Sequence, residues 1–204
     1  MTAAMFNVLL DPMPEEWRGY KINTSYRAGV MIELIQHDPE LNKYERMDAI
    51  VNVLFANEDG TMRSYPAGEE LAECIYTFLN GWNHDRHVAD GSGVGRRVMD
   101  YNVDQWRIYA DFLQIYGINL ATTDMHFWKF CGLLWNMPPE QSSFLQVAGI
   151  RQRKIEDGMN AKTVKLIRQQ QAVYGLEEDR PEYTDEQKEQ IDAFDRMMAK
   201  LGGE

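Results

Sequence analysis

The side chains that could do chemistry in this chain are few, and the first of them are His84 and His87, three residues apart. Two imidazoles at this spacing can contribute to a zinc site, which takes four protein ligands when it is structural. Asp85 and Asp90 are the only further ligands close by, and the surrounding sequence is polar and rich in glycine. We therefore interpret the two histidines as part of a polar linker and predict neither a metal ion nor a cofactor.

A glycine-rich stretch, GSGVGRR at residues 91–97, has some features of a phosphate-binding loop. Such a loop cradles phosphate oxygens with backbone N–H groups, and it follows a strand and ends in Gly-Lys followed by Ser or Thr. The stretch lacks that ending, and no strand pattern precedes it. A flexible linker is the better interpretation.

His126 and Cys131 lie in one strongly apolar segment of the chain. A catalytic base needs a partner within hydrogen-bonding reach, and a nucleophilic thiolate needs an electropositive, partly exposed setting. No residue spacing supplies either condition. We predict that His126 is satisfied by hydrogen bonds at a helix start, that Cys74 and Cys131 are free buried thiols, and that the chain is not an enzyme.

The elements that would position these side chains are mostly helices. Between residues 104 and 116, Trp106, Tyr109, Leu113 and Tyr116 recur at steps of three and four, and Ile108, Phe112 and Ile115 form a second, adjacent line. This spacing predicts a helix with a broad apolar face. A second helix, apolar nearly all round, follows a cap at Thr122 or Thr123 and cannot continue past Pro138. We predict that this helical hairpin is a scaffold and that partners bind elsewhere.

The remaining sequence predicts a small β-hairpin before residue 23, where residues 6–10 and 20–22 show alternation, and then three helices. The second of these helices is predicted to start at Asp38 and Pro39, and the third to bury Leu71, Cys74, Ile75, Phe78 and Leu79. A further helix is predicted from about Ala161 to Tyr174. The fold class is therefore mainly α, a multi-helix domain with a small N-terminal β-hairpin and a C-terminal amphipathic helix. Four segments are predicted: 1–82 with the hairpin and helices, 83–99 as a flexible linker, 100–175 as a Trp-rich helical core, and 176–204 as an acidic tail.

The formal net charge of the 204-residue chain is −11 at pH 7. Nucleic acids and anionic membranes repel such a chain, so we expect neither as its main partner. The first residues lack the pattern of a secretory signal peptide, and no window approaches the ~18 apolar residues of a membrane span. We expect an intracellular protein.

Two surfaces near the end of the chain are candidates for binding a partner. The region 151–168 is locally basic, whereas the tail from Glu177 has ten acidic residues against four basic ones and an apolar helical stripe. The stripe either docks on the chain's own body or enters a groove of a partner. The hypothetical partner-binding residues are Arg151, Arg153, Lys154, Ile191, Phe194, Met198 and Leu201.

Several segments resemble the bacteriophage gene-product-fifteen family. They are GYKINTSYR from Gly19, DYNVDQWRIYADFLQIYGINL from Asp100, MHFWKFCGLLWNMP from Met125 and AGIRQRKI from Ala148. The order of these blocks and the spacing of their aromatic residues match the family over roughly residues 17 to 170. Phe127 stands where the family commonly has tryptophan.

The resemblance implies a tail assembly chaperone of a long-tailed phage, working in the host cytoplasm without catalysis. It implies the tape-measure protein and the tail-tube protein as partners, and self-association is a further expectation. A structural virion component, such as a connector or tail-completion protein retained in the particle, is the alternative.

Overall fold

The computed structural model describes residues 6–57, 59–82 and 97–176. The chain forms two compact units, Met1–Gln152 and Arg153–Glu204. The described part of the first unit holds a β-hairpin and helices α1 to α6, and that of the second holds helix α7. The helices are α1 Tyr26–Gln36, α2 Lys43–Phe55, α3 Glu69–Asn80, α4 Tyr101–Tyr116, α5 Phe127–Trp135, α6 Ser143–Gln152 and α7 Ala161–Tyr174.

The β-hairpin consists of two short antiparallel strands, β1 Glu16–Trp17 and β2 Tyr20–Lys21. Arg18 and Gly19 between them both have positive φ, 47° and 86°, as a two-residue hairpin turn requires. A mainly helical fold with a small N-terminal β-hairpin is thereby confirmed. The predicted alternation at residues 6–10 does not form a strand, because the chain turns there and exposes Val8, Leu9 and Leu10.

Polar side chains set the starts of α2 and α5, and both starts differ from the prediction. Helix α2 begins after Asn42, which forms a capping box with Glu45, and not at Asp38. Helix α5 begins after His126 because Thr122 and Thr123 are held in a turn by the carbonyl of Asn119. Each start is therefore fixed by the side chain that satisfies the first free N–H groups.

Helix α5 lies at the centre of the first unit. The ring of Phe130 stacks on Phe112 of α4 and on Tyr26 of α1, at centroid distances of 5.1 and 4.9 Å. The ring of Phe127 lies 5.2 Å from that of Phe78 on α3. One short helix thus joins three others through aromatic contacts, which the apolar sequence of α5 predicts.

The contact between α1 and α5 depends on a glycine. A Cβ atom at Gly29 would lie 2.1 Å from the ring of Phe127, which is 2% exposed. The two helices can therefore approach this closely only because position 29 has no side chain.

Several predicted features lie outside the described residues. These are His84, His87, the glycine-rich stretch up to residue 96, and the tail from residue 177 with its predicted helix. The division into four segments therefore stays a prediction.

Candidate functional site

Helix α4 turns a narrower apolar face to the core than its sequence predicts. Trp106 is 72% exposed and Leu113 is 45% exposed, whereas Ile108 and Phe112 are buried. The predicted inward orientation of Trp106 is therefore wrong. The physical reason is that two acidic residues share the buried face with Ile108 and Phe112. Their carboxylates have partners inside the fold.

The first of these acids is Asp104, which is fully buried and pairs with the buried guanidinium of Arg151. Arg151 Nη1 and Nη2 donate to the two carboxylate oxygens over 2.6 and 3.0 Å, and Nη1 also donates to the carbonyl of Val98. Arg107 donates to the same carboxylate over 3.1 Å. The bidentate pair links α4 to α6.

This pair corrects one candidate residue. Arg151 is 1% exposed, so its guanidinium is not at the surface where a partner would meet it. Arg153 and Lys154 are exposed, and their predicted role stays a prediction. Ile191, Phe194, Met198 and Leu201 lie outside the described residues.

The second acid, Asp111, caps a helix from a distance. Its carboxylate accepts hydrogen bonds from the backbone N–H groups of Ser143 and Phe144 and from the hydroxyls of Ser142 and Ser143. A residue of α4 thus satisfies the start of α6, 31 to 33 positions further along the chain.

The outward face of α4 borders an open apolar groove, which we call the α4 groove. Its volume is about 520 Å³, and α1, α4, α5 and the loop after α4 line it. Its floor is formed by the buried side chains of Tyr26, Tyr101, Ile108, Leu120 and Phe130. Its rim is formed by Arg27, Val30, Gln105, Trp106, Tyr109 and Ala121.

Tyr26 and Arg27 of the α4 groove are hydrogen-bonded within the fold. The hydroxyl of Tyr26 donates to the carbonyl of Leu120 over 2.6 Å, and Arg27 donates to the same carbonyl over 2.9 Å. Arg27 also pairs with Asp124 at 3.5 Å. Burial raises the pKa of Tyr26, and it raises the pKa of Tyr101 well above its ordinary value, so both phenols are neutral at pH 7. The floor is therefore apolar and uncharged.

Sequence reasoning missed this groove because it placed Trp106 in the core. A signal was present: Asp104, Ile108, Asp111 and Phe112 share one face at steps of four, three and one residues. Acids on an otherwise apolar face indicate caps or buried ion pairs, and they would have placed that face inward.

His126 has the structural role that the sequence predicts. Its Nδ1 accepts from the backbone N–H of Trp128 over 3.0 Å, and Nε2 lies 2.9 Å from the carbonyl of Pro14, to which it donates. Burial is the main cause of the lowered pKa of His126, so the neutral form predominates at pH 7. The imidazole caps α5 and ties it to the segment before β1.

Both cysteines are free and buried, as predicted. Burial raises the pKa of Cys74 to about 11, which keeps this thiol protonated at neutral pH. Among the residues that the structure describes, no three His, Cys, Asp or Glu side chains are grouped to hold a metal ion. Nor is any helix in these ranges long and apolar enough to cross a membrane.

The second unit has a groove of its own along α7, with a volume of about 560 Å³. We call it the α7 groove. Its lining residues are Met159, Ala161, Val164, Lys165, Arg168, Gln169 and Ala172.

The segments that carry the family resemblance meet in space. The backbone N–H of Tyr26 donates to the carbonyl of Met125 over 2.8 Å, and that of Phe127 donates to Thr24 over 2.7 Å. The starts of α1 and α5 are thereby bridged, with Ser25 opposite His126. The resembling motifs thus build one junction of the core and the inner wall of the α4 groove.

Comparison with known proteins identifies the family of the chain. The model of the family described as Bacteriophage Gp15 protein matches residues 9–176, which include every helix named above. No curated protein sequence and no solved structure matches the chain. The chain belongs to the bacteriophage Gp15 protein family.

Proposed function

We propose that the protein is a non-catalytic tail assembly chaperone that binds the tape-measure protein of its phage through the α4 groove. The observation that carries this proposal is Trp106, which is 72% exposed at the rim of an apolar groove in a chain of this family. Tryptophan is among the residues that most often dominate the binding energy of protein interfaces.

The shape and chemistry of the groove suit an amphipathic helix. Buried rings form the floor, while Trp106 and Tyr109 stand on the α4 side with their rings 5.9 Å apart. A partner helix places apolar side chains at steps of three and four residues into such a groove. Gln105, which is exposed at the rim, can then bind the polar edge of that helix.

The proposal explains why such a surface remains exposed. A tape-measure protein is a long, largely helical polypeptide whose apolar faces promote aggregation until the tail tube surrounds it. Several chaperone copies along it gain avidity from weak individual contacts, and the net charge of −11 keeps the complex soluble. Release would follow as tail-tube subunits polymerise in the host cytoplasm.

Co-expression with the tape-measure protein encoded by the same phage tests the proposal. We expect the wild-type chain to increase the soluble fraction of the tape-measure protein and to co-purify with it. Trp106→Ala should weaken this binding by about 30-fold, or ~2 kcal/mol, as for a central aromatic residue of an interface.

Tyr44→Ala is the matched control, because Tyr44 is an aromatic residue 86% exposed on α2, outside the groove. It should bind like the wild-type chain. Equal loss in both variants, or unchanged binding by Trp106→Ala, would contradict binding through the α4 groove.

Mass spectrometry of purified virions separates a chaperone from a connector retained in the particle. A chaperone should be absent or present only in traces. A fixed copy number that matches the symmetry of the tail would refute the chaperone function and favour the connector.

A further inference from the structure

We propose that the α7 groove is the docking surface for the chain's own acidic C-terminal segment, residues 177–204. The proposal is independent of the α4 groove and of the tape-measure protein. It begins from the unusual composition of α7, AKTVKLIRQQQAVY, which contains three cationic residues and no acidic one in a chain of net charge −11.

The groove combines an apolar strip with cationic edges. Met159 and Val164 are partly buried, whereas Lys165 and Arg168 are exposed and lie one helical turn apart. An amphipathic helix with an apolar stripe and acidic flanks is the ligand that such a surface fits best.

The C-terminal segment has this pattern. Its ten acidic and four basic residues give a net charge of −6, and Ile191, Phe194, Met198 and Leu201 recur at steps of three, four and three. Asp195 lies beside the stripe, and six of the ten acidic residues lie in residues 177–186, directly before it. The apolar periodicity of the stripe and the negative charge of the residues before it are thus both complementary to the α7 groove.

The length of the chain permits the return. Helix α7 has 14 residues and is about 21 Å long, at ~1.5 Å per residue. An antiparallel segment needs only a turn at the end of α7, and the ten residues from Gly175 to Thr184, which can extend to about 33 Å at ~3.3 Å per residue, are more than enough for it. Because the segment is tethered to α7, its effective concentration at the groove reaches about the millimolar range.

Hydrogen exchange of the full-length chain, followed by mass spectrometry of peptides covering residues 187–201, tests the docking. In the wild-type chain these amides should exchange slowly. In the variant Lys165→Glu/Arg168→Glu their exchange should accelerate at least about tenfold, which corresponds to ~1.4 kcal/mol. Sodium chloride at about 1 M, where the Debye length is ~3 Å, should accelerate it too.

The control is Arg153→Glu/Lys154→Glu, which changes the net charge equally at exposed positions outside the groove. In this variant, exchange of residues 187–201 should stay within about threefold of the wild-type rate. Long-range attraction between charges outside the groove is screened by salt and is therefore weaker than direct contact with Lys165 and Arg168. Circular dichroism should show both variants folded.

Three outcomes would overturn the proposal. One is unprotected exchange of residues 187–201 in the wild-type chain, and another is equal acceleration in both variants. The third is protection that rises with protein concentration together with a dimer in light scattering, which would assign the bound segment to a second copy.

Discussion

Asp104 is the residue on which the orientation of α4 depends, and its partner Arg151 can be tested directly. Arg151→Met removes the bidentate partner of a fully buried carboxylate, which keeps its contacts with Arg107 and with the backbone N–H of Asp100. Breaking a buried ion pair in this way costs about 3–5 kcal/mol. Urea unfolding should show a loss of this size. Arg153→Met, at an exposed position, should change stability by less than about 0.5 kcal/mol.

The double variant Asp104→Asn/Arg151→Met distinguishes a coupled pair from two independent effects. The amide oxygen can still accept from the backbone N–H of Asp100, which the carboxylate does over 3.1 Å. With no charge left inside, the double variant should be more stable than Arg151→Met alone. Strictly additive losses would contradict the coupling.

His126 makes the stability of the fold depend on pH, and the sign of this dependence follows from the surroundings of the imidazole. Burial lowers its pKa in the folded chain, whereas the unfolded value is about 6.5. At pH values between the folded and the unfolded pKa, the unfolded chain binds a proton at His126 more strongly than the folded chain does. The stability from neutral His126 is therefore fully present above the unfolded pKa and is lost as the pH falls through it towards the folded pKa.

We expect His126→Asn to reduce this pH dependence. Asparagine is a good helix cap and does not titrate, so the wild-type chain should lose more stability than the variant between about pH 7.5 and 5.5. Chemical unfolding at a series of pH values measures the difference. An unchanged slope in His126→Asn would exclude His126 as the source of the pH dependence.

At the scale of elements, the sequence predicts well those helices whose burial is decided by apolar residues alone. Leu71, Cys74, Ile75, Phe78 and Leu79 of α3 are all buried, as their periodicity predicts. Helix α7 runs from Ala161 to Tyr174, as predicted. Local spacing suffices in these cases because no distant polar group competes with the apolar stripe.

Helix α4 was mispredicted because its orientation depends on distant residues. Asp104 meets Arg151, 47 positions away, and Asp111 meets Ser142, 31 positions away. No local periodicity contains these contacts, and both apolar lines of α4 fit a helix equally well. The α4 groove could not be predicted for the same reason, since it exists only when Trp106 faces outward. The resembling motifs, in contrast, predict the family correctly, and two of them meet at the junction of Ser25 and His126.

At the scale of the whole molecule, added salt should have opposite effects on two quantities. It should stabilise the folded body and weaken the docking of the C-terminal segment. A chain of net charge −11 repels itself, so added salt should stabilise its folded state. The exposed ion pairs, such as Arg18 with Glu73 at 2.6 Å, contribute too little to reverse this trend. The buried pair of Asp104 and Arg151 is largely protected from screening.

We therefore expect the midpoint of thermal unfolding to rise between about 0.02 and 0.5 M sodium chloride by ~2–4 °C, which corresponds to about 1 kcal/mol at this chain length. Over the same range, exchange of residues 187–201 should accelerate, because screening weakens their attraction to Lys165 and Arg168. Sodium sulfate at equal ionic strength screens charges similarly but also strengthens apolar burial, because sulfate is excluded from the protein surface. Comparing the two salts therefore separates screening from this second effect. A midpoint that falls with sodium chloride would mean that attractive surface pairs, and not self-repulsion, dominate the electrostatics of the fold.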